Sequence, residues 1–302
     1  MKRLALLWTI VLCSVHGLCA QRCGVAFYNV ENLFDTIPSL FYDDEMYTPQ
    51  GHYRWDTDKY TRKITDLARV LDEIRADVVG LAEVENEAVV RDLVRTLKTD
   101  YCYVHLTGGD RRGIEQALLY KADRLEVDEA WLSPSGFSRE FLNVRGWLMG
   151  RSVQFVVCHM PSAYNSKEVR ERALAALEEH VARTVARNPE MTVVVMGDMN
   201  QEYDRRLRRR LGWLSPLSRY DKVGYGSYFH DGSWQLIDNI FLCGGQGFCV
   251  SDCGIYIQHY MLHQTRYGRQ PFRTFGRGYQ GGISDHLPVY VIFDSQTVRS
   301  VN

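Results

Sequence analysis

Residues 193–200, Val-Val-Val-Met-Gly-Asp-Met-Asn, constrain the architecture more than any other stretch. A short run of β-branched apolar residues suits a strand buried on both faces. Gly197 then permits a turn, and Asp198 and Asn200 follow at the two-residue period of a strand. Their side chains should therefore leave the strand end on one side, a carboxylate able to take a proton beside an amide able to hold an anionic oxygen. An ordinary strand-to-loop turn uses the same residue types, so this stretch alone leaves both readings open.

The chain begins Met-Lys-Arg, continues with apolar residues 4–15, and reaches Gly-Leu-Cys-Ala at 17–20. That pattern predicts a signal peptide over residues 1–20, cleaved before Gln21. The apolar run is too short to cross a bilayer, which takes roughly 20 residues, and no later stretch is longer. The expectation is an exported protein, secreted or periplasmic and monomeric, with one domain over residues 21–302. A formal charge of −1 excludes general polyanion binding, so any nucleic-acid contact must be local. Six cysteines follow the leader: Cys23, Cys102, Cys158, Cys243, Cys249 and Cys253. The last three could hold one disulfide; they lack the paired Cys-x-x-Cys spacing of a zinc site.

Periodicity predicts helices over 59–75, 87–98, 166–186 and 203–211, with a surface loop over 36–58. Strands are predicted over 25–29, 78–81, 116–120, 125–131, 141–148, 153–158, 193–198, 227–230, 236–242 and 287–293. Helices and strands interleave without steady alternation, which argues against a purely parallel sheet.

Three further stretches carry chemistry-bearing residues. Residues 24–34 read Gly-Val-Ala-Phe-Tyr-Asn-Val-Glu-Asn-Leu-Phe, 81–86 read Leu-Ala-Glu-Val-Glu-Asn, and 284–289 read Ser-Asp-His-Leu-Pro-Val. With residues 193–200, and in this order, they resemble the endonuclease/exonuclease/phosphatase (DNase I-like) superfamily, above all its secreted bacterial members. The resemblance runs from about residue 25 to about residue 293. It implies an α+β fold in which two packed, mostly antiparallel sheets are flanked by helices, a four-layer αββα sandwich. It also implies a metal-dependent hydrolase of phosphoester bonds.

Carried over residue by residue, the resemblance makes Glu83 a ligand for a hard cation such as Mg²⁺, with Mn²⁺ or Ca²⁺ as alternatives. Asn29 would help hold metal and phosphate. Glu31 stands in the same motif where many members have Asp, and Asp285 would face the metal side. Asp198 would orient or deprotonate the attacking water, and Asn200 would steady the phosphoryl oxygens. His286 would contact the scissile phosphate, with Asp238 orienting an active-site histidine and keeping it charged. A histidine at His159 resembles DNase-like and sphingomyelinase-like members, and a second histidine would allow one to protonate the leaving oxygen. Arg139 aligns with a phosphate-contacting arginine, and Glu115 with a further histidine-orienting carboxylate.

Two arginine-rich stretches bear on substrate. Arg205, Arg206, Arg208, Arg209 and Arg210 follow Asn200, and Arg266, Arg269, Arg273 and Arg277 alternate with aromatics before Ser284. Basic residues among aromatics suit nucleic acid; a solvated helix face with Leu207 and Leu211 inward explains the first stretch equally well. The expectation is a DNA or RNA nuclease. The alternatives are a phospholipid phosphodiesterase, which would want an exposed aromatic hairpin that the sequence does not reveal, and a binding module without catalysis.

Overall fold

The computed structural model describes residues 22–220, 224–245 and 248–295; the predicted signal peptide lies outside them. In chain order the strands are β1 (Arg22–Leu33), β2 (Val78–Val84), β3 (Cys102–His105), β4 (Glu115–Tyr120), β5 (Leu125–Ser133), β6 (Phe141–Leu148), β7 (Arg151–His159) and β8 (Thr192–Asp198), then β9 (Tyr228–His230), β10 (Ser233–Gln235), β11 (Asp238–Gly244), β12 (Phe248–Ile255), β13 (Leu262–Thr265), β14 (Gly268–Pro271) and β15 (Val289–Ser295). The α-helices are α1 (Thr57–Ile74), α2 (Glu87–Thr96), α3 (Lys167–Arg187) and α4 (Arg205–Leu211). One sheet has the order β12-β15-β1-β2-β4-β3 and the other β11-β8-β7-β6-β5; β9–β10 and β13–β14 are separate hairpins. Among the described residues only β1–β2 and β7–β8 pair in parallel, so the sandwich is α+β and mostly antiparallel.

The burial pattern explains why β1 and β8 read as continuous apolar runs. Along β1, Val25 and Phe27 enter the core between the sheets, while Ala26, Tyr28 and Val30 meet α1 and α2. Along β8, Val194 and Met196 face the other sheet, while Val193 and Val195 pack on α3 and α4. Both strands are covered on two sides, and each large side chain buried there contributes about 1.5–3 kcal/mol. Three apolar layers thus separate four layers of secondary structure. The helices begin at side-chain caps: Asp56 accepts from Lys59 N, Asn86 from Val89 N, Ser166 from Val169 N and Asp204 from Leu207 N. The last cap starts α4 at Arg205 rather than at residue 203.

Two expectations are corrected. Residues 36–58 are not simply a surface loop, because Tyr47 and Trp55 are buried with Phe34, Ile114 and Phe275 in an aromatic cluster. No disulfide joins the expected cysteines: Cys243 faces the helix layer of its sheet and Cys253 faces the inter-sheet core. On α4 the solvated reading fits, with Leu207 and Leu211 buried and Arg210 bound to Glu171 and Glu178 of α3. No helix among the described residues is long and apolar enough to cross a membrane.

Candidate active site

Strand register gathers the chemistry at one edge. His159 at the end of β7 lies opposite Asp198 at the end of β8, and Asp198 lies opposite Asp238 at the start of β11. Three neighbouring strands therefore present three functional side chains side by side. From the facing sheet, Asn29 of β1 and Glu83 of β2 reach the same place, and Ser284 ties the 284–286 turn to it by donating to the Asn29 carbonyl (2.7 Å). Gly197 is needed for close approach rather than for a turn. A Cβ there would come within 2.1 Å of the Cys158 carbonyl oxygen on β7. Backbone strain concentrates here as well, since Glu31, Asn32, Glu83 and Asn200 all have positive φ of 50–67°.

Asp198 is the hub. Its Oδ2 accepts from Asn29 Nδ2 at 3.1 Å and lies 3.6 Å from His159 Nε2 and 3.7 Å from His286 Nε2. Its Oδ1 accepts from Asn200 N at 2.8 Å. Burial, and after it the charge of Asp238, push this carboxyl up to about 7. The Asn29 amide also donates to Glu83 Oε1 at 3.1 Å, while its own oxygen accepts from Glu31 N.

The two histidines are held in opposite states. Burial works against a charge on His286, but Asp238, then Asp198 and Asp285, outweigh it and raise the imidazole well above its usual range. The direct contact is His286 Nδ1 to Asp238 Oδ2 at 2.7 Å. For His159, burial and then the Arg139 guanidinium hold it well below that range. Arg139 Nη1 donates to His159 Nδ1 at 2.6 Å, which places the ring proton on Nε2, facing Glu83 and Asp198 at 3.7 and 3.6 Å.

Three expected roles sit differently. Glu31 is turned away from the site: its oxygens accept from Thr274 N (2.5 Å) and Phe275 N (3.2 Å), with Arg273 Nε at 3.5 Å. It pins the segment before Ser284 rather than offering itself to a cation. Arg139 is buried behind His159 with Asp110 Oδ2 at 3.7 Å from its Nε, so it orients that ring. Glu115 orients no histidine. Its Oε1 accepts from Gly108 N at 3.1 Å and its buried Oε2 has no partner.

Burial raises Glu115 to about 8 from an ordinary 4.5. The native state then binds this proton more tightly than the unfolded chain, so stability declines as pH climbs from about 4.5 to about 8 and levels off above. Glu115→Gln, neutral at every pH, should stabilise the protein at pH 9 by on the order of 2 kcal/mol and do little at pH 4. Denaturant unfolding at the two pH values measures this, and an equal effect at both would refute it.

Asn200 is at the site, but its Nδ2 donates to the Met160 carbonyl at 2.9 Å, joining the loops after β7 and β8. Asp285 Oδ2 pairs with Arg273 at 2.7 Å and its Oδ1 lies 3.9 Å from His286 Nε2. Sequence reasoning missed Asp110, Tyr228 and the part played by Arg273. Tyr228 packs its ring 4.8 Å from that of His286; its place in a strand two residues before a histidine carried no signal.

The donor set fits a hard divalent cation. Glu83 Oε1 and Asp198 Oδ2 converge on the same Asn29 amide and His159 Nε2, and oxygen donors of this kind suit Mg²⁺ or Ca²⁺. Asp198, Asp238 and His286 also place ligand atoms within 4.8 Å of one another. That trio fits a cation poorly, because His286 Nδ1 is bonded to Asp238 and the ring carries positive charge. Of the two groupings, the one around Glu83 is the better fit for a cation.

A model of the Endonuclease/Exonuclease/phosphatase family matches residues 24–295. No curated protein matches the chain. Solved structures share its fold. An endonuclease/exonuclease/phosphatase family protein from Bacteroides thetaiotaomicron has TM-score 0.63 and 15% identity, covering 94% of this chain and 99% of that one. D. rerio TDP2 complexed with single strand DNA product has TM-score 0.61 and 16% identity, covering 90% and 98%. A mannosyl-6-phosphatase from Bacteroides thetaiotaomicron VPI-5482 has TM-score 0.61 and 16% identity, covering 90% and 99%.

Proposed function

The chain belongs to the endonuclease/exonuclease/phosphatase family of metal-dependent phosphoester hydrolases, and from that premise we propose that it is an exported, Mg²⁺-dependent nuclease cleaving phosphodiester bonds. The observation that carries this reading is the pair of histidines on Asp198, His286 bonded through Nδ1 to the Asp238 carboxylate and His159 through Nδ1 to the Arg139 guanidinium. A diester needs a proton for its leaving alkoxide and a donor for its phosphoryl oxygens, and this pair supplies one of each. The D. rerio TDP2 structure holds a single-strand DNA product, in keeping with nucleic acid as substrate. Export rests on residues 1–20 of the sequence.

A divalent cation held by Glu83, with Asp285 and Asn29 beside it, would supply charge neutralisation at the phosphoryl group. Asp198 takes the proton of the attacking water at Oδ2, positioned by Asn29 Nδ2 and Asn200 N. His286, kept cationic by Asp238, faces the same space through Nε2 and gives its proton to the leaving oxygen. His159 Nε2–H, oriented through Nδ1 by Arg139, donates to a phosphoryl oxygen. Asn200, anchored at Met160, closes the same side.

One observation favours a second reading. The loop after β1 leaves Leu40 93%, Phe41 87% and Ile37 70% exposed, the kind of apolar tip that enters a lipid interface. This loop would serve a phospholipid phosphodiesterase.

Purified protein with Mg²⁺ should cleave plasmid DNA or RNA, and EDTA should abolish the activity. Glu83→Gln should raise the Mg²⁺ needed for half-maximal rate at least about tenfold and weaken the Mg²⁺-dependent rise in melting temperature. Cleavage of sphingomyelin vesicles alone would transfer the assignment to the lipid reading. No turnover of either, with Mg²⁺ stabilisation intact, would leave another phosphoester as the substrate or a binding module without catalysis.

A further inference from the structure

Beside His286 the two hairpins β9–β10 and β13–β14 enclose a cavity of about 410 Å³. Tyr228, His230, Tyr267, Gln270, Arg273 and Asp285 line it, and Asp285 at its floor immediately precedes His286. A substrate with its phosphorus at Asp198 and His286 must place a neighbouring group at or near this opening. What the cavity can recognise follows from which of its groups are already engaged.

Several of the polar groups of the lining already have partners within the protein. Arg273 pairs with Asp285 at 2.7 Å, Gln270 bonds His263 at 2.9 Å, and His230 lies 3.4 Å from Asp231. A hexose, recognised through a ring of hydroxyls, would have to break these bonds to be held. The aromatic surface is different. The His230 ring lies nearly parallel to that of Tyr228, at 15° and 6.0 Å, so the two form a step leading away from His286. Tyr267 is 58% exposed at the tip of the opposite hairpin, with the Arg266 guanidinium 4.6 Å from its ring centre. Arg269 adds a second exposed cation on the same hairpin. Planar rings with cations at the rim match a flat heteroaromatic ring carried on a polyanion.

We propose that this cavity is the pocket for the nucleobase next to the scissile phosphate, with Tyr267 and His230 as its stacking residues. The assignment rests on the nuclease reading above and adds to it that the enzyme recognises unpaired bases. A duplex keeps its bases stacked on one another, so single strands, strand ends and loops are the substrates that fit.

The test compares an oligothymidylate with a phosphodiester chain of equal length built from tetrahydrofuran abasic residues, both with Mg²⁺. The wild-type protein should cleave the base-bearing chain with a kcat/KM roughly tenfold higher or more. Tyr267→Ala and His230→Ala should each remove most of that preference while leaving the abasic chain unaffected, and Tyr267→Phe should keep it. Both residues are exposed, so melting temperatures should stay at the wild-type value. Equal cleavage of the two chains by the wild type, or Tyr267→Ala slowing both equally, would overturn the pocket and leave the nuclease reading intact. Cleavage of neither chain defeats both, and hydrolysis of a hexose phosphate in their place would give the cavity to a sugar.

Discussion

Asp198→Asn should lower kcat on a phosphodiester by about 10³-fold with little change in KM. The asparagine keeps the size of the side chain and can still accept from Asn200 N through its single oxygen, while Asn29 loses its bond because the new amide nitrogen cannot accept. What it loses is the capacity to take a proton. Asp198 titrates near 7 because it is buried and stands beside Asp238. Below that pH the carboxyl of the metal-free protein already holds a proton and cannot accept one from water, so the wild-type rate should show an acid limb, rising with pH. A bound cation would favour the carboxylate and move this limb to lower pH. The variant should show no such limb. If Asp198→Asn retained more than a tenth of the wild-type kcat, another group would have to be the base.

Asp238→Asn should cost roughly 10²-fold in kcat at pH 8 and much less at pH 5. Burial alone would push the His286 imidazole down, and Asp238 reverses that. An amide still accepts the 2.7 Å bond from Nδ1 but brings no charge, so His286 would drop out of its cationic form as pH rises through neutrality. Asp238 also helps hold Asp198 up, so removing its charge should lower that titration too. The whole pH–rate profile of the variant should therefore move to the acid side. An undisplaced profile with a uniformly reduced rate would mean that Asp238 only positions the ring. Histidine NMR titration of the metal-free protein gives an independent reading of the His286 shift.

Much of the fold is legible because burial on two faces leaves a mark in composition. The apolar runs of β1 and β8, and the helical spacing of Leu67 and Leu71 or Leu174 and Leu177, report a local environment that each residue meets by itself. Strand β12 leaves no such mark. It lies at a sheet edge, and its register shifts between Val250 and Asp252, so the alternation expected of a half-buried strand is broken. Of the hairpin strands only β9 was expected; β10, β13 and β14, of three or four residues each, are too short to show a period.

At the site, Glu83, Asp198, Asp238, His159 and His286 were all nominated from the chain, and the register of β7, β8 and β11 together with the facing β1 and β2 brings them to one place. Partnerships were harder to read. That Arg139 meets His159, that Glu31 secures Thr274 and Phe275, and that Glu115 faces Gly108 are contacts between segments 7 to 244 residues apart. Nothing in the residue types distinguishes a carboxylate that will bind a cation from one that will hold a loop. Gly197 shows the same limit, because its role depends on the neighbouring strand rather than on its own dihedrals.

The cross-strand alignment of His159, Asp198 and Asp238 has a consequence for how this scaffold can change. These three groups are held by main-chain ladders at the ends of adjacent strands, whereas the rings around the cavity sit on two small hairpins outside those ladders. A slip of one residue in β8 would turn Asp198 away from the site, so the reacting groups tolerate almost no insertion or deletion. The outer turns of the hairpins can lengthen, shorten or be exchanged with far less disturbance, provided Tyr228 keeps its bridge to His286 and Ser227 its bond from Asp238 N. Reaction and recognition are thereby separable by inheritance: hairpins transplanted from a relative should carry its choice of substrate into this protein while the hydrolytic step stays as it is.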